Sequence, residues 1–254
     1  SKLGAEIPKG ILLVGAPGST RGQEPLLPHA DAFLDEAIRI VRSNDLIRSR
    51  YTFTEQETRY TRDSAGAIVR KQVRVYQVQP SPEPELTYRR LVSVNGVEPK
   101  DLAKRDAEQR RKEAEWAAAR QREGEDARAA RVRRAAEEDR REQAVLAEIQ
   151  SIYEFRMMGR ESIDGRPAVL YEFEPAPGYK PKTPEGRIIN HFRGQVWIDE
   201  AEREWVSLKV QCLETVSVKF GFIFRLLKGS RGHLERRKVN GGAWLPTYSR
   251  FTGS

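Results

Sequence analysis

Gly194-Gln195-Val196-Trp197-Ile198-Asp199 and Trp205-Val206-Ser207-Leu208-Lys209-Val210 are two short runs joined by a small, charged connection, Glu200 to Glu204. Successive side chains of a strand point to opposite faces of its sheet. Val196 and Ile198 therefore share a face, as do Val206, Leu208, Val210 and Cys212 on the next run. A period of two over runs this short reads as β-strand, and the short connection makes the two neighbours antiparallel.

The same pattern extends in both directions. Tyr153 to Glu161 and Pro167 to Glu174 flank Asp164-Gly165, a hairpin-turn pair. Val169, Tyr171 and Phe173 share one face there. Arg187 to Asp199, Glu204 to Thr215, Val216 to Leu227, Gly232 to Val239 and Trp244 to Thr252 are further strand candidates, with Asn240-Gly241-Gly242 closing the last hairpin. Phe220, Phe222 and Phe224 fall on one face of the 216–227 run. Upstream, Tyr51 to Tyr60, Ile68 to Val78 and Leu86 to Val94 read as three strands, punctuated by a turn at 63–66, prolines 80, 82 and 84, and Asn95-Gly96. Strands at this spacing with short turns argue an antiparallel meander. The segment 175–186, rich in proline and charge, reads as a long loop that either gates a site or is a solvated connection.

Two segments depart from the strand pattern. From Asp31 to Arg42, Phe33, Leu34, Ala37, Ile38 and Val41 recur at helical spacing, which predicts a helix whose apolar side must be covered. From Lys100 to Glu142 more than half the residues are charged, with the signs nearly balanced and no apolar seam of the kind a coiled coil needs. This predicts one long charged helix, weakened at Gly124. It is either a solvated helix held by i,i+4 ion pairs or an arm for a partner. Val145, Leu146, Ile149, Ile152 and Tyr153 restore apolar spacing, so its last turns are expected to dock on the sheet.

Composition narrows the function classes. A net charge of +8 and a sequence pI of about 9.6 permit contact with nucleic acid or anionic lipid. Acidic residues are interspersed throughout, however, and no basic block forms, so nucleic acid is not the expected partner. The single cysteine, Cys212, excludes an internal disulfide and reads as a structural thiol at an inward strand position. No stretch approaches the roughly 18 apolar residues of a membrane span. His29, His191 and His233 are isolated and lack metal-ligand spacing. Glu172 and Glu174 share a strand face and could pair as acid and base, but exposed strand carboxylates are the commoner reading. No catalytic residue, metal or cofactor is expected.

Residues 2–19, KLGAEIPKGILLVGAPGS, closely resemble the strand and the start of the phosphate loop in membrane-bound AAA proteases. Counting from Gly15, the second glycine position of G-x-x-x-x-G-K-[ST] holds Thr20, the lysine position Arg21 and the Ser/Thr position Gly22. The half that grips the phosphates is missing. Residues 1–28 thus read as a leader or foreign segment with a linker, and a fragment related to an ATP-dependent AAA protease is the alternative identity.

Residues from about 30 to 254 resemble the LolA/LolB-like outer-membrane lipoprotein-sorting proteins, in a branch with a charged helical insertion. The residues that carry the likeness are Val73 to Tyr76, Leu86 to Leu91, Tyr153 to Arg156, Gly159 to Glu161, Asp164 to Pro167, and the 194–199 and 205–210 runs. The resemblance implies a curved half-barrel whose apolar concave face holds acyl chains under covering helices. The expected fold is α+β and mainly antiparallel β: a half-barrel-like sheet, a covering N-terminal helix and one long charged helix inserted at about 98–150. Residues 29–254 are expected to form one β-rich domain, truncated at its C-terminal end. The implied function is a non-enzymatic carrier of lipid or lipidated protein in the periplasm or cell envelope, with an envelope protein as a further partner. The expected ligand-binding residues are Val169, Tyr171, Phe173, Val196, Ile198, Leu208, Val210, Phe220, Phe222 and Phe224. The competing reading is an ordinary core sealed by the 31–42 helix. A third is a structural interaction protein that uses the charged helix.

Overall fold

A computed structural model describes residues 26–40, 51–63, 65–81, 86–220, 222–240 and 242–253. The phosphate-loop-like segment lies outside them. The architecture is α+β, with antiparallel strands and a curved sheet that does not close into a barrel.

The chain begins with helix α1 (Ala30–Ile40) and continues through β1 (Phe53–Arg62), β2 (Ile68–Gln79) and β3 (Tyr88–Val94). These three form a sheet of their own. Tyr76 and Val78 are the buried members of β2, and the Arg89 guanidinium lies 3.6 Å over the Tyr76 ring. The covered face is thus the one carrying Tyr76 and Val78; Val73 and Val75 are only half-buried.

The charged segment is two helices, α2 (Leu102–Gln121) and α3 (Glu125–Ile152). The break falls at Gly124, which takes extended angles as the N-terminal flank of α3. Glycine costs about 1 kcal/mol inside a helix relative to alanine, so interruption there is cheap. Neither helix has an apolar face along its middle; ion pairs such as Arg105–Asp101 at 2.7 Å decorate the surface. α2 is tied down near its start, where Asp106 accepts from Tyr88 and forms a two-pronged pair with Arg90. α3 is tied down at its end, where Ile152 is fully buried.

From α3 the chain passes without a loop into β4 (Tyr153–Ile163), then β5 (Arg166–Pro175), α4 (Pro184–Ile189), β6 (Phe192–Asp199) and β7 (Trp205–Cys212). β8 (Val216–Phe220) and β9 (Phe222–Leu226) follow, and β10 (Arg231–Val239) and β11 (Ala243–Thr252) end the fold. Six of these strands form one antiparallel sheet in the order β11-β10-β7-β6-β5-β4. The expected single strand at 216–227 is instead a separate two-stranded ribbon, β8 against β9. Its apolar run is long enough to double back on itself, so it satisfies its own hydrogen bonds rather than joining the large sheet.

The loop expected at 175–186 carries the short helix α4 at its end. Thr183 caps it, accepting from Gly186 N at 3.0 Å, and Pro184 occupies the first helical position, where its missing N–H costs nothing. No helix among the described residues is long and apolar enough to cross a membrane.

Candidate functional site, an apolar cavity beneath the first helix

The cavity follows from strand register. Across β5 and β6, Val169 faces Ile198 and Tyr171 faces Val196; across β6 and β7, Val196 faces Leu208 and Gly194 faces Val210. Directly opposed residues share a face, so three strands lay one apolar strip along the face that α1 packs on. A bulge alters the strip at one place. Trp197 pairs with Ser207 but Ile198 pairs with Trp205, which leaves Val206 as the extra residue. Val206 therefore does not share the face of Leu208 and Val210, contrary to the simple alternation. It joins Ala168, Leu170, Trp197 and Trp244 in a cluster on the opposite face, and Trp205 takes its place on the cavity face.

α1 covers part of the strip. Phe33, Leu34 and Ala37 pack on Val169, Tyr171 and Ile198. The Phe33 and Tyr171 rings stack 6.3 Å apart, and Tyr171 Oη donates to Ala30 O at 2.7 Å. Burial, reinforced by the Asp31 charge, pushes the Tyr171 phenol up to about 12, so it stays a donor at any physiological pH. A second cluster holds Ile152, Tyr153 and Phe173, with Ile149, Phe155, Ile189, Val196, Leu208 and Val210 partly buried against it. The Tyr153 ring meets Phe173 edge-on at 4.9 Å, and its hydroxyl donates to Ile189 O.

A cavity of about 440 Å³ borders both clusters. Its roof is Leu34, Ala37 and Ile38 of α1 with Leu146 and Ile149 of α3. Its floor is Phe155, Phe173, Val196, Ile198, Trp205, Leu208 and Val210. Among the described lining residues Arg203 alone is charged. Ile149, Phe155, Phe192, Val196, Leu208 and Val210 all remain only half-buried, so the described residues leave the lining unsealed.

The far wall is pinned by a buried carboxylate. Glu148 accepts from the Tyr179 hydroxyl at 3.0 Å, from Thr183 N at 3.0 Å, and from Lys182 N and Thr183 Oγ1. Burial alone would raise its pKa, but these donors outweigh it and hold the carboxyl at about 2. The 175–186 segment is thereby strapped to the end of α3.

Of the ten expected ligand-binding residues, Phe173, Val196, Ile198, Leu208 and Val210 line the cavity. Val169 and Tyr171 lie on the same face but are sealed under α1, at 0% and 1% exposure. Phe220, Phe222 and Phe224 belong by backbone to the β8–β9 ribbon, and their side chains lie outside those described. Alternation of Tyr153 and Phe155 could have added both to the list, as could Trp205 had the bulge been foreseen.

The polar candidates sit elsewhere. Glu172 is held by Arg156 and, at 3.1 Å, by Gln195; the Arg156 bond leads the effects that keep its carboxyl below the usual range. Ser207 Oγ and Glu235 both approach Nε2 of His233, at 3.3 and 3.2 Å. A Ser–His–acid relay uses both ring nitrogens, and this arrangement uses one. Burial pushes the Cys212 thiol up, away from the reactive thiolate. Among the described residues no cluster of three acidic, histidine or cysteine side chains could hold a metal ion. Comparison with protein-family models, with curated proteins and with solved structures gave no match to this chain.

Proposed function

We propose that the protein is a non-enzymatic carrier or binder of lipid or lipidated protein of the bacterial cell envelope, and that an acyl chain lies in the cavity beneath α1. The observation that carries this reading is a wall of half-buried apolar side chains around about 440 Å³ of space. Ligand cavities run from roughly 300 to 1,000 Å³ and are mostly apolar with few polar groups. Each methylene moved from water into such a lining gains roughly 0.8 kcal/mol. The envelope setting draws on the resemblance of the 153–174 and 194–210 hairpins to LolA/LolB-like proteins. No catalytic step is proposed.

The experiment is a titration of delipidated protein with a fluorescent acyl probe. Saturable binding is expected, and Leu208→Glu, which puts a charge on the cavity floor, should abolish it while the circular dichroism spectrum is retained. Absence of saturable binding, or binding indifferent to Leu208→Glu, would sink the reading.

A further inference from the structure

We infer that Arg203 is a head-group site that selects acyl-chain amphiphiles with an anionic head. The inference rests on the acyl-binding reading above and adds ligand class to it.

Capacity suits an acyl chain. A methylene is about the size of a water molecule, whose share of liquid volume is roughly 30 Å³. A cavity of about 440 Å³ thus has room for at least on the order of fifteen such groups. That is enough for a chain of ordinary length.

Charge sets the head. Arg203 is the one cation among the described lining residues. It stands in the β6–β7 connection at φ +61, the left-handed region that an arginine enters only at a cost. The connection holds it there: Arg203 N donates to Asp199 O at 2.9 Å, and its guanidinium donates to Glu200 O. This conformation throws the side chain back over α1, 4.5 Å above the Phe33 ring. There its Nε donates to Glu36 Oε2 at 2.8 Å.

Glu36 therefore occupies the position that a ligand's carboxylate or phosphate would take. Its side chain is 48% exposed, so it can swing into solvent when displaced. A guanidinium presents a fixed fork of donors that suits a carboxylate or phosphate. The exchange swaps one charge-assisted hydrogen bond for another, and the acyl chain supplies the net gain. An alcohol of the same chain length gains the cavity but not the fork, and a quaternary ammonium meets a like charge.

The test uses the full chain loaded with the neutral probe N-phenyl-1-naphthylamine, displaced by dodecanoate, dodecyl phosphate, dodecanol or dodecyltrimethylammonium. One or both anions should displace it at concentrations about tenfold below dodecanol, and the two anions set side by side tell which head is preferred. Arg203→Gln should bring that ratio to about one, and Arg203→Lys should keep part of it. Glu36→Gln removes the internal competitor and should tighten the anions severalfold while leaving dodecanol unchanged. Equal displacement by anions and dodecanol in the wild type overturns the head-group site and leaves acyl binding standing. So does a ratio untouched by Arg203→Gln, or, should that variant not fold, by Glu36→Gln. If no amphiphile displaces the probe, both readings fall together.

Discussion

Phe173 lies against the bare α-carbon of Gly194, its partner across the β5–β6 ladder. A methyl group at position 194 would come within 2.9 Å of Phe173 Cζ and 1.9 Å of the Lys209 carbonyl oxygen. The glycine leaves room for the Phe173 ring, which lines the cavity. Gly194→Ala must push either the ring or the β7 backbone aside. It should lower unfolding free energy by about 2–3 kcal/mol in urea titration, and should weaken acyl-probe binding in the fraction that remains folded.

Acid should loosen the far wall. The Glu148 carboxyl sits at about 2 in the fold against an ordinary 4.5, so the folded state binds its proton less readily than the unfolded chain. Its contribution is fully present above about pH 4.5 and is lost as pH falls from there towards 2. Glu148→Gln should cost about 2–3 kcal/mol at pH 7 and should flatten the stability profile over that acid window. Chemical denaturation at stepped pH checks both.

Arg236 and Glu204 form a pair at 3.0 Å with 7% and 5% exposure, and Arg236 also donates to Trp244 O at 3.1 Å. Removing one member strands the other charge in a dry setting. Arg236→Met should cost about 3–5 kcal/mol. Glu204→Leu combined with Arg236→Met should recover a large part of it, which a double-mutant cycle in urea measures.

A bulkier side chain should close the cavity without harming the fold. Val196 is half-buried and faces the space directly. Val196→Phe is expected to weaken acyl-probe binding by tenfold or more and to leave stability unchanged or raised by about 0.5–2 kcal/mol, as cavity filling does. A matching loss of stability would show that the space is needed for packing rather than for a ligand.

Among the described residues, the anchorages of the charged arm lie towards its two ends. α2 is fastened near Asp106 and α3 from Leu146 onward, so a short Gly-Ser bridge replacing residues 111–142 spares both anchorages. The melting temperature and probe binding of this variant should stay close to those of the intact chain. A collapse of either would give the arm a structural task.

Strand alternation carries much of this fold, because the period of two survives wherever the ladder is regular. Phe173, Val196, Leu208 and Val210 were legible on that basis alone. It fails where the backbone slips by a residue: the bulge at Val206 exchanges Val206 for Trp205 on the cavity face. α4 left a readable signal, Thr183-Pro184-Glu185, a capping residue followed by a proline fit for a first turn. The Glu148 clamp had none, since its partners lie more than thirty positions away in sequence. The same holds for Arg203, whose role depends on a left-handed turn that sequence rules would assign to glycine or asparagine. The 216–227 run misled because apolarity fits one long buried strand as readily as two short ones.

α3 meets β4 with no slack between Ile152 and Tyr153. Leu146 and Ile149 on one side of that junction, and Tyr153 and Phe155 on the other, all border the same space. Mechanically, the arm is a lever and the Glu148 clamp its fulcrum. A torque applied to the exposed helix by anything that grips it reaches the cavity wall through continuous backbone, with no flexible joint to absorb it.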